Sequence, residues 1–75
     1  MTPEQVEERI IELIHREPFA PFVVEMNDGE SLEIQHPRLA INGGGAVFFG
    51  PDGGLVDFEF HKVRSIIIRT KEAVA

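Results

Sequence analysis

The chain contains no cysteine. Neither a disulfide framework nor a thiolate metal site is therefore available to it. It also lacks any apolar run near the roughly 18 residues that a membrane-spanning helix needs. No basic segment followed by an apolar stretch opens the chain, so no secretory leader is expected and the cytoplasm is the expected compartment. Bases are scarce as well, with 7 Lys and Arg against 13 Asp and Glu, for a net charge of −6. A protein held to nucleic acid through phosphates carries the opposite balance. Internal repeats, linkers and low-complexity segments are missing too, and with 75 residues this points to one domain near the lower limit of what a single core supports.

What is present is an ordinary globular composition, 43% hydrophobic and 27% charged. The acidity is unevenly spread. Residues 1–33 carry nine acids against Arg9 and Arg16, a balance of −7, whereas residues 34–75 carry five bases against four acids, a balance of +1.

Thr2-Pro3-Glu4-Gln5 has the form of a capping box, with Thr2 as N-cap, Pro3 at the first helical position and Gln5 able to reach back. Val6, Ile10, Leu13 and Ile14 follow at helical spacing, and Pro18 disfavours helical geometry at Glu17. A helix ending near His15 or Arg16 is expected within residues 1–17. The next stretch, Pro18 to Pro37, reads as a β-hairpin around Asn27-Asp28-Gly29. Two registers compete. A two-residue Asp28-Gly29 turn would set Val24 opposite Glu33 and mix core with solvent. A three-residue loop with Gly29 left-handed sets Val24 opposite Leu32 and Phe22 opposite Ile34, keeping one face apolar. The second register is expected.

Beyond the hairpin, Pro37 marks a bend or a sheet edge, with Leu39 and Ile41 resuming the strand on the core side. Asn42 to Gly45 makes a turn into a strand over Ala46 to Phe49, and Gly50 to Gly54 makes another. A fourth strand spans Leu55 to His61, with Val56, Phe58 and Phe60 inward; after a turn at Lys62-Val63, a last strand runs from Ser65 to Thr70. The tail 71–75 is expected to fray. One helix followed by about five short, strongly bent antiparallel strands is an α+β pattern, and over residues 18–70 a small, partly open barrel is expected.

Catalytic and metal-binding patterns fail on inspection. His15, His36 and His61 lack the short spacing of a recognisable metal site; His36, just before Pro37, is better suited to fixing the bend through a backbone hydrogen bond. Gly43-Gly44-Gly45 lacks the Lys-Ser/Thr and helix N-terminus of a phosphate cradle. Ser31 and Ser65 lie beside no base, and Asp57 and Glu59 share the outer face of a strand. No catalytic residue, cofactor or metal ligand is assigned.

The runs Pro18-Phe19, Pro21-Phe22, Asp28-Gly29 and His36-Pro37, followed by His61 and an alternating Val/Ile strand, resemble a family of short bacterial proteins with no assigned activity. A second resemblance concerns fold. A short helix plus five strands is the order of the Sm-like (Hfq-type) family, and His61, Val63, Ile66 and Ile67 are similar to that family's histidine-containing segment. It implies an Sm-like/SH3-like barrel and a nucleic-acid surface made of His61, Lys62, Arg64 and Arg69, although Phe60 stands where that family has a lysine. The acidic surface favours another reading: a non-catalytic module acting through a protein partner or through self-association. Ile66 and Ile68 facing the core leave Ile67 on the other side, and one of Phe48 and Phe49 must also point away. Phe48, Phe49 and Ile67 are thus the candidate interface of a homo-oligomer; the competing place for Ile67 is under the helix.

Overall fold

A computed structural model describes residues 1–69. Helix α1 spans Pro3–Ile14 and begins in the expected capping box. The Gln5 N–H donates to the Thr2 hydroxyl (3.2 Å), and the Thr2 N–H donates to the Gln5 side-chain oxygen (3.0 Å). His15 closes its C-terminal end, with its Nδ1 3.0 Å from the Ile11 carbonyl. Val6, Ile10 and Leu13 are buried. Burying each such side chain contributes about 1.5–3 kcal/mol, and this holds a helix too short to persist alone in water.

Six strands follow: β1 (Phe22–Met26), β2 (Ser31–Ile34), β3 (Ala40–Asn42), β4 (Gly45–Phe49), β5 (Leu55–Glu59) and β6 (Val63–Ile68), with a 3-10 turn at Phe60–Lys62. They form two antiparallel three-stranded sheets, ordered β2-β1-β6 and β3-β4-β5. Both sheets turn their apolar faces to one shared core, and α1 packs against the 3-10 turn and β6. The architecture is α+β. A line of edge-on rings (His36, Phe48, Phe58, Phe60) runs through the second sheet at centroid spacings of 6.2, 6.5 and 6.0 Å.

The hairpin β1–β2 has the apolar-preserving register, with Phe22 opposite Ile34 and Val24 opposite Leu32. Gly29 has φ of 94°, its N–H donates to the Met26 carbonyl (3.1 Å), and the Glu30 N–H donates to the Asp28 carboxylate (3.0 Å). The same three-residue loop recurs at Pro51-Asp52-Gly53. There Gly53 has φ of 88°, its N–H donates to the Gly50 carbonyl (3.0 Å), and the Gly54 N–H donates to the Asp52 carboxylate (3.1 Å). In each case an x-Asp-Gly triplet supplies both the side-chain acceptor and the left-handed position that the turn requires.

The strand layout differs from the sequence expectation in three respects. Six strands form instead of five, because the chain does not resume β2 after Pro37. The Leu39 N–H donates to the Pro37 carbonyl (3.1 Å), turning the backbone so that β3 joins the other sheet. The two sheets are not closed into a barrel. Finally, the fourth strand stops at Glu59 and not His61: the Val63 N–H donates back to the Phe60 carbonyl, closing a 3-10 turn over Phe60–Lys62 that keeps Phe60 inward. The last strand accordingly starts at Val63. The expected extension to Thr70 and the tail 71–75 lie outside the described residues.

Candidate functional site

Among the described residues no polar or charged side chain is buried, and no group of three His, Asp or Glu side chains is placed to hold a metal ion. The three histidines are held apart by the fold. His15 caps α1. His36 stands at the Phe49 end of β4, where its Nε2 lies 3.1 Å from the Phe49 carbonyl, while the Arg38 N–H donates to its Nδ1 (3.2 Å). His61 lies beyond the other end, in the turn that follows the residue opposite Gly45. A strand of this length separates the two by roughly 13 Å at about 3.3 Å per residue.

The cations singled out for nucleic acid do not form an open basic patch. Lys62 pairs with Glu59 (3.3 Å), Arg64 with Glu25 (3.5 Å) and Arg69 with Glu33 (3.4 Å), while His61 Nε2 lies 3.8 Å from Glu59. Such exposed pairs contribute only about 0–1 kcal/mol to stability. Their consequence is electrostatic: each cation meets a carboxylate before it meets a phosphate. Lys71, a further base of the same half of the chain, lies outside the described residues.

Apolar surface is more prominent. The two phenylalanines of β4 separate as alternation requires: Phe48 is 5% exposed and faces inward, and Phe49 is 62% exposed and faces outward. Directly opposite Phe49 on β5 is Leu55, 69% exposed. Val47 and its partner Ala40 on β3 continue the same outer face. Ile67 is 47% exposed and lies across from Val23 on the outer face of the other sheet, so it is not covered by α1. Leu55 was not among the candidates read from sequence, yet its signal was there. The alternation that places Val56 and Phe58 inside places Leu55 outside with Asp57.

Behind Phe49 a groove of about 230 Å³ opens between β2 and the β4–β5 hairpin, floored by Leu32, Phe48 and Val56 and bounded by Pro51. It continues into a second cleft between the β1–β2 loop and β5, which shares Leu32 and Val56 with it. No helix among the described residues is long and apolar enough to cross a membrane. No protein-family model matches the chain, and neither a curated protein nor a solved structure shows significant similarity to it.

Proposed function

We propose that the chain is a non-catalytic interaction module of a reducing compartment, the cytoplasm, and that it associates with itself through the outer face of β3-β4-β5. One observation carries this reading: Phe49 and Leu55 are directly paired across β4 and β5, and both are more than half exposed. The face carries Asp57 and Glu59 toward its Gly45 end, whereas Ala40, Val47, Phe49 and Leu55 gather toward the other, and that apolar end is what a covering partner would bury. Among the described residues the outer edges of β3 and β5 that flank it are unpaired, and unpaired edges beside apolar surface are what natural proteins conceal. The fold is read as Sm-like/SH3-like, an open variant in which β2 and β3 are the halves of one strand bent at Pro37. The order β6-β1-β2 then β3-β4-β5 supports that reading.

Light scattering after size exclusion, at micromolar concentration, tests the association. The wild type should exceed the 8.4 kDa of one chain. The double variant Phe49→Thr/Leu55→Thr should run as a monomer with an unchanged far-UV spectrum, because both side chains are exposed and threonine suits a strand. A monomeric wild type, or a double variant that keeps the oligomer mass, would overturn the proposal.

A further inference from the structure

The free edge of β2 borders the groove, and its backbone groups are unpaired there. Met26 N–H donates to the Glu30 carbonyl (2.8 Å), which makes Met26–Glu30 a hydrogen-bonded pair. Such pairs alternate along an antiparallel ladder, so residues 30, 32 and 34 turn their N–H and C=O groups toward β1. Ser31, Glu33 and Gln35 must turn theirs the other way. β2 is the outermost strand of its sheet, and among the described residues no backbone bond satisfies those three. All three are exposed.

The two halves of the groove differ in character. The upper half is apolar, with Leu32, Phe48, Pro51 and Val56 around it. The lower half is acidic: Asp28, Glu30, Asp57 and Glu59 line it against one base, Lys62, which is already paired with Glu59. Three features therefore coincide along one line: an open row of backbone donors and acceptors, an apolar trough beside it, and negative charge at one end.

We propose that this edge binds an extended peptide segment by strand addition, antiparallel to β2, with a large apolar residue in the upper trough and lysine or arginine two and four residues C-terminal to it. Direction follows from the layout. β2 runs from the acidic end toward the apolar end, so an antiparallel partner passes the apolar trough first and the carboxylates afterwards. Antiparallel pairing is slightly the more stable per residue, and same-face side chains recur every second residue. Main-chain hydrogen bonds supply the affinity in this mode, while the alternate side chains select the sequence. Basic residues are selected because the lower half is short of cations and the chain as a whole is at −6. The site adjoins the outer Phe49–Leu55 face, since Phe49 lines its upper half and Leu55 its lower half, but strand addition at β2 does not depend on self-association.

A labelled synthetic peptide of alternating Val and Thr, with one Phe followed by Lys two and four residues later, tests this by fluorescence anisotropy. Two control peptides share its sequence: one carries Glu for both Lys, and the other carries N-methyl groups on the amides of the edge facing β2. Binding should saturate for the parent peptide and be weaker by about tenfold or more for each control. The protein variant Glu30→Lys/Asp57→Lys, altered only at exposed positions, should lose affinity for the parent peptide and gain it for the Glu peptide. Titrations use the wild type and Leu55→Thr, so that an oligomer covering part of the groove does not mask the edge. Absence of binding with both proteins overturns the proposal. So does equal binding of the parent and N-methylated peptides, which would show contact without strand addition. Neither result bears on the mass measurement, so strand addition and self-association fail separately.

Discussion

His36→Ala should destabilise the domain more than its half-exposed position suggests, because His36 ties together the point where the two sheets part. A backbone amide can only donate. The Arg38 N–H therefore fixes His36 Nδ1 as the acceptor, which leaves the ring proton on Nε2 to donate to the Phe49 carbonyl. One bond holds the Pro37 bend and the other reaches the end of β4, while the ring stands edge-on to Phe48 at 6.2 Å and 70°. Each hydrogen bond contributes about 0.5–1.5 kcal/mol and the ring pair about as much. Partial exposure puts all three near the lower ends, for a total of about 2 kcal/mol. A domain of this length has roughly 4–11 kcal/mol in hand, and a loss of that size lowers Tm by about 8–16 °C. His36→Asn should recover roughly half: a side-chain amide two residues before the Arg38 N–H can still accept from it but is too short for Phe49. Urea denaturation read by far-UV circular dichroism measures both variants. A loss under about 0.5 kcal/mol for His36→Ala, the range of an ordinary surface change, refutes the reasoning.

Gly29→Val should cost clearly more than about 1 kcal/mol in the same assay, because a β-branched side chain is strained at a φ of 94° although open space surrounds the position. A smaller loss would mean that the loop relaxes into another turn. Ile67→Lys should cost less than about 1 kcal/mol, since Ile67 is half exposed and gives up one cross-strand contact with Val23. Val24→Lys, fully buried on the opposite face of the same sheet, should abolish folding, and similar losses from the two would return Ile67 to the core. Mixed-sequence single-stranded RNA should show no saturable anisotropy change at physiological salt. Micromolar binding, the tight end of ordinary nonspecific affinity at about 10⁻⁶ M, would revive the nucleic-acid reading of Lys62, Arg64 and Arg69.

Local rules were legible wherever one residue type admits few geometries. Thr2 and Gln5 announced the helix start. The parity of Phe22, Val24, Leu32 and Ile34 left only one register that keeps core with core. The bend at Pro37 was legible too, but not its consequence. Whether a strand kinks within a sheet or leaves it depends on what the residues beyond the bend can pair with, and the partner of Ala40–Asn42 is β4, still to come in the chain. The end of β5 was hidden for a similar reason. Val56, Phe58 and Phe60 alternate without a break, and the turn arises where the chain folds back at Val63, whose N–H bonds the Phe60 carbonyl as β6 goes to pair with β1. Alternation alone set Ile67 apart and required one of Phe48 and Phe49 to face outward, but it did not say which; the register of β4 makes it Phe49. The groove could not emerge from alternation, because it is a relation between β2 and a hairpin some 15 to 20 residues later, and no local period encodes it.

The surfaces on which function is proposed trace to Pro37. Proline fixes its own φ and restricts the residue before it, so the chain bends at His36-Pro37: β2 ends at Ile34 and β3 lies in the second sheet. Among the described residues Ser31, Glu33 and Gln35 keep unpaired backbone groups, and the β4–β5 hairpin lies beside them with Phe48 and Val56 in the gap. His36 then holds the break at a fixed opening by bonding across it to Phe49. Loss of the His36–Phe49 bond should therefore act on the groove before it acts on the helix, whose capping box and buried stripe are built from residues 2–14.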